Sequence, residues 1–183
     1  MQPLYFHLAT QRSAVDVEGW YPERMGMAIG VALSGGRLKV FTEVDLPELA
    51  VALERARPVI GYNLGGFDFA VLSGYPEFRA AEIKCLDLLS TIEAKAGRRI
   101  RLESLVGATL DKGPLPDGLE AVALWKAGNI ARVVESCVNT VLEIRELHQY
   151  GVQNGFVLCP QPEKDARARL EVPEWRIDFG RNE

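Results

Sequence analysis

Hydrophobic and polar positions recur with two different periods along this chain, and the changes of period mark its elements. LYFHLAT (Leu4 to Thr10) has strand length and aromatic content. Two further runs, MGMAIGVAL and LKVFTEV, are separated by Ser34-Gly35-Gly36-Arg37, which predicts a hairpin. In LPELAVALERA, Leu46, Leu49, Leu53 and Ala56 recur at helical spacing, with Asp45 as the expected cap, Pro47 tolerated near the start and Pro58 as the stop. VIGYN reads as a short buried strand, and GGFDFAVL as a loop entering a helix. IKCLDLLSTIEAKAG predicts a strand end running into a helix stopped by Gly97, and LESLVGATL a second, shorter helix. LDKGPLPDG carries two prolines and two glycines and predicts an irregular exposed loop before a helix that begins near Leu119. A long helix is expected from Ile130 to Tyr150, closing at Gly151, and GFVLC is a last extended stretch. The order is three strands, a helix, a strand and then mostly helices, which favours an α/β mixed sheet with helices packed on it.

The 183 residues suit one domain, expected over residues 1–159, and QPEKDARARLEVPEWRIDFGRNE reads as a charged tail within 160–183, with Trp175 able to dock on the domain. The 48% apolar and 25% charged content is that of a folded chain and excludes a disordered or collagen-like one. There is no apolar stretch of the ~20 residues needed to span a bilayer, and MQPLYFHLATQR lacks the pattern of a secretory leader, so the expectation is a cytoplasmic protein with no membrane partner. Cys85, Cys137 and Cys159 form no C-x-x-C pair and read as buried free thiols. A formal net charge of −4 argues against bulk electrostatic binding of duplex DNA, so any nucleic-acid contact must use a local patch. Lys95, Arg98, Arg99 and Arg101 form the densest basic run and could touch a phosphate backbone or be a solvated helix end.

Three stretches carry candidate chemistry: FHLATQ (Phe6 to Gln11), GYNLGGFD (Gly61 to Asp68) and SCVNTV (Ser136 to Val141). In order and spacing they resemble the three motifs of the DnaQ-like (DEDD) 3′–5′ exonucleases, and most closely the YprB-like, helicase-associated subgroup. LDLL, GRRIRLESL, DGLEAVALW and HQYGVQNG support the likeness, which covers roughly residues 4 to 158. The resemblance implies an RNase H-like fold. It also implies two divalent ions that generate hydroxide and stabilise the leaving oxygen, held by carboxylates because Mg²⁺ prefers hard oxygen ligands.

Against that pattern, this chain is depleted. The family's D-x-E on the first strand puts both acids on one face, and here those positions are His7 and Ala9. Counting back from Gly151, Thr140 stands where the family has aspartate, and Ser136 where it has the tyrosine that orients the attacking water. Only Asp68 remains, as an inherited catalytic carboxylate and weak metal candidate, a helix-start acid, or both. Imidazole is a poor Mg²⁺ ligand, though Mn²⁺ tolerates it better.

The other candidates have plainer readings. His7 could be a substitute ligand or general base, or a packed histidine. Asp16-Val17-Glu18 imitates D-x-E but reads as an exposed loop, and Glu135 or Glu143 could be a displaced ligand or surface charge. Asn63 is expected to tie down its loop or touch nucleic acid, and Tyr62, Phe67 and Trp20 are expected in the core, with base stacking as the alternative.

The leading expectation is a pseudo-nuclease that needs no cofactor, with single-stranded nucleic acid or a helicase or repair protein as partner. One alternative is an active Mg²⁺- or Mn²⁺-dependent 3′–5′ exonuclease with a non-standard site. The other is an interaction module that does not touch nucleic acid.

Overall fold

The structure is a computed structural model and describes residues 2–113, 118–161 and 166–176. Its centre is a five-stranded sheet built from β1 (Leu4–Thr10), β2 (Met27–Ser34), β3 (Arg37–Phe41), β4 (Val59–Gly61) and β5 (Cys85–Asp87). The strands are ordered β3-β2-β1-β4-β5. β1 is antiparallel to β2, β2 is antiparallel to β3, and β4 is parallel to both β1 and β5. The expected hairpin forms with Ser34 opposite Arg37, and Gly35 and Gly36 both take positive φ, as its two-residue turn requires.

The central position of β1 explains its composition. Alternate residues face opposite sides: Tyr5 and Ala9 join one core, while Leu4, Phe6 and Leu8 join the other. His7 is its one half-buried residue and faces the same side as Tyr5 and Ala9. Helix α1 (Leu46–Arg55) and the one-turn α2 (Phe69–Leu72) cover the Phe6 face. The Tyr5 face carries α3 (Leu88–Ala96), α4 (Leu102–Leu110), α5 (Gly118–Lys126) and α6 (Ile130–Asn154). No helix among the described residues is long and apolar enough to cross a membrane.

Three local expectations change: the cap of the first helix, the end of the long helix, and Cys85, which is exposed rather than buried. Asp45 does not cap α1 through its side chain; its carboxylate turns back to accept from the Thr42 N–H and hydroxyl, both at 2.8 Å, closing a 3₁₀ turn ahead of the helix. Of the irregular 110–118 loop, residues 114–117 lie outside the described residues. Helix α6 runs through Gly151 and ends at Gly155, which takes φ +79°. Gly151 is there for close approach, since a Cβ would overlap the Trp175 ring.

The segment from 160 onward also carries structure. β6 (Phe156–Gln161) pairs antiparallel with β7 (Ala166–Glu171), and Trp175 is buried against α6. β7 alternates Ala166, Ala168 and Leu170 with Arg167, Arg169 and Glu171, a period-two strand pattern lying within a segment read as a charged tail. Cross-element contacts hold it: Arg169 lies 3.7 Å over the Phe156 ring, and Arg167 donates to the Ala108 carbonyl at 2.8 Å. His148 on α6 joins the same assembly, since its Nδ1 accepts from the Tyr5 hydroxyl and its Nε2–H donates to the Trp175 carbonyl, each at 3.0 Å.

Candidate functional site

The C-terminal ends of β1 and β4, the start of α5 and the middle of α6 surround an open cleft of about 520 Å³. His7, Ala9, Ser136 and Thr140 all line it. Positions far apart in sequence therefore line one cleft. Asp68 stands behind this wall, 1% exposed.

The loop that carries Asp68 is built by backbone geometry. Asn63 adopts a left-handed conformation (φ +68°), and a Cβ on Gly66 would overlap the Asn63 side-chain oxygen. Asp87 at the end of β5 holds the loop: it accepts from the N–H of Asn63 at 2.8 Å and of Gly65 at 3.2 Å, while capping α3 through the Leu89 N–H at 3.1 Å. Asn63 was expected to tie the loop down, but the tie is Asp87. An aspartate between a strand and a helical run was the available signal, in LDLL.

Asp68 Oδ1 accepts from the Leu8 N–H at 2.9 Å and lies 3.5 Å from His7 Nδ1. Burial raises its pKa, and the hydrogen bond and charge of His7 only partly oppose this. The Thr140 hydroxyl donates to the Ser136 carbonyl at 3.0 Å, one turn earlier on α6. Cys137 also lines the cleft; burial, then the Asp68 charge, push its thiol up to about 12, so it stays protonated and is no nucleophile at neutral pH.

These residues do not fit a pair of divalent ions. Ala9 offers no donor, the Thr140 hydroxyl is engaged with backbone, and the one carboxylate at the motif positions is turned into the protein, while Glu103 at the cleft pairs with Arg101. Among the described residues no group of three or more His, Cys, Asp or Glu side chains is placed to hold a metal. Glu135 is exposed and Glu143 half-buried near Lys112 and Glu146, and neither lines the cleft. Asp16, in its exposed loop, accepts from the Ser13 N–H and hydroxyl and from Lys126, which hold its carboxyl well below the usual range.

The basic run divides. Arg99 and Arg101 line the cleft, each in a loose exposed ion pair at 3.6 Å, with Glu93 and Glu103 respectively. Arg98 points away and donates to the Pro160 carbonyl, and Lys95 holds the C-terminal segment through the Glu171 carbonyl and Glu174. Of the aromatics, Tyr62 is partly buried and donates to the Ile100 carbonyl at 2.6 Å. Trp20, expected in the core, is 63% exposed at the cleft, its ring centroid 6.0 Å from that of Phe67.

The Asp68 environment makes a prediction. A carboxyl whose folded pKa is raised above its unfolded value favours folding while protonated at low pH, and that contribution is lost as pH rises through the folded pKa. Above the unfolded pKa the raised folded pKa is a cost to folding. Asp68→Asn keeps an oxygen for the Leu8 N–H and removes the titrating group, so we expect it to raise the melting temperature by about 2–4 °C at pH 7. The gain should shrink toward pH 4; thermal denaturation at both pH values checks it, and a lower melting temperature at pH 7 would contradict the assignment.

No family model and no curated protein matches this chain. Among solved structures, the family B DNA polymerase from the archaeon Pyrobaculum calidifontis is similar over 82% of this chain, with 15% identity and a TM-score of 0.61. The zinc-bound E. coli exonuclease I complex with single-stranded DNA matches 83% of this chain at 16% identity, with a TM-score of 0.45. This chain spans 24% of the polymerase and 40% of the exonuclease. With its β3-β2-β1-β4-β5 mixed sheet flanked by helices, the chain has the RNase H-like α/β fold.

Proposed function

We propose that this chain is a pseudo-nuclease: a degenerate relative of the DEDD 3′–5′ exonucleases, of the YprB-like helicase-associated type, that binds single-stranded nucleic acid without cutting it. One observation carries this reading. Where the sequence resemblance calls for four acids around a metal pair, the cleft presents His7, Ala9 and Thr140, with Asp68 buried behind them. The scaffold that would align a strand is kept, and the charge that would hold two cations is lost. Arg99 and Arg101 supply a local cationic patch on a chain of net charge −4. A helicase or repair protein is the partner such a module serves, delivering or receiving the strand.

The test uses the whole protein and an end-labelled single strand. We expect binding in EDTA at low salt and no shortening of the strand with Mg²⁺ or Mn²⁺. A lone carboxylate with millimolar affinity adds only about 0.4 kcal/mol at ~1 mM ion, so the melting temperature should move by about 1 °C. Progressive shortening of the strand in Mn²⁺, abolished by Asp68→Asn, would instead establish an active exonuclease with a non-standard site. Failure to bind any single strand would favour an interaction module that does not touch nucleic acid.

A further inference from the structure

We infer that Trp20, with Phe67 beside it, is a base-stacking platform at the cleft, and that Arg99 and Arg101 hold the phosphates of the same strand in the absence of any metal. The inference rests on the single-strand-binding reading above and adds the residues that would do the binding. Trp20 lies on the β1–β2 connection, outside all three motif stretches, so nothing in the resemblance assigns it a role. A tryptophan that is 63% exposed leaves a large apolar face in water, which folding alone does not favour. Its neighbour Phe67 is only partly buried, and the two rings are inclined by 33° at the cleft wall. Such faces accept any base, because every base offers a π surface.

Charge decides between a strand and an apolar partner. Arg99 and Arg101 line the same cleft, and their carboxylate partners stand at 3.6 Å on exposed side chains, pairings weak enough for a phosphate to displace. Of the exposed acids on the Trp20 loop, Asp16 has its charge taken up by Lys126 and Ser13, whereas Glu18 and Glu23 stand nearer to Trp20 in sequence. Aromatic rings together with loosely paired guanidinium groups match a strand's alternation of bases and phosphates.

The test is titration of the whole protein with a short oligothymidylate in EDTA, followed by tryptophan fluorescence and by anisotropy of a labelled strand. Trp175 is fully buried and Trp125 is packed on the core, so the quenching should come from Trp20. We expect Trp20→Leu to abolish the quenching and to weaken binding about 5- to 100-fold, and Trp20→Phe to retain most of the affinity. Arg99→Gln combined with Arg101→Gln should lower the slope of log affinity against log salt by about 1.4. A strand of abasic sites, which keeps the phosphates and lacks bases, should bind the native protein as weakly as oligothymidylate binds Trp20→Leu. Equal affinity of native protein and Trp20→Leu, or of abasic and thymidine strands, overturns the stacking role while leaving single-strand binding intact. Absence of any binding to the native protein at low salt overturns both.

Discussion

Replacing Trp175 with alanine is expected to lower stability by about 3–5 kcal/mol, the range for truncating a buried aromatic residue. For a chain of this size that is a fall in melting temperature of roughly 6–20 °C. The side chain is fully buried and sits against the Cα of Gly151, so its removal opens a cavity that the stiff backbone of α6 cannot close. Trp175→Phe should cost distinctly less. The indole N–H is buried without a hydrogen-bond partner among the described residues, and phenylalanine loses that donor along with part of the ring. The consequence reaches the cleft through α6, the helix that also carries Ser136 and Thr140. Urea denaturation of the two variants checks both magnitudes; an alanine variant within 1 kcal/mol of the native protein would show that the C-terminal segment contributes little to the fold.

The second large effect is expected from restoring the missing acids. The triple variant His7→Asp, Ala9→Glu and Thr140→Asp adds three negative charges beside Asp68 in one cleft. Without metal these acids repel one another, and Ala9→Glu also forces a longer side chain into a site that is buried in the native protein. The variant should therefore melt well below the native protein in EDTA. It should recover in Mn²⁺, because an ion at 100 times its dissociation constant returns about 2.7 kcal/mol. Cleavage of single strands should stay weak, limited by Ser136 where the DEDD exonucleases that the sequence resembles have tyrosine. Equal melting in EDTA and Mn²⁺ would mean that the four side chains do not converge on a common ion.

The hydrophobic pattern determined much of the architecture. β1 was legible as a seven-residue run, the β2–β3 turn as two glycines between strands, and α1 and α3 as helical spacing bounded by recognisable stops. The sequence also singled out His7, Ala9, Ser136 and Thr140, which the structure places on one cleft.

What only the tertiary structure decided depends on contacts between distant segments. Gly151 looks like a helix stop in sequence, but α6 continues through it because Trp175 needs the space and Gly155 takes the left-handed turn. β7 does alternate apolar and charged residues, but its apolar positions are two alanines and a leucine, and only its pairing with β6 and the arginine contacts establish it as a strand. Trp20 and Phe67 are chemically suited to a core, and only their position at the cleft reveals exposed rings. Arg98 and Arg99 are adjacent in sequence and indistinguishable there, yet one is turned to β6 and the other to the cleft. Asp68 could be read as a ligand or a helix-start acid from its place in the motif. Its burial behind His7 and its hydrogen bond from Leu8 arise only when β1 and the β4–α2 loop are packed together, because desolvation is a property of the assembled protein.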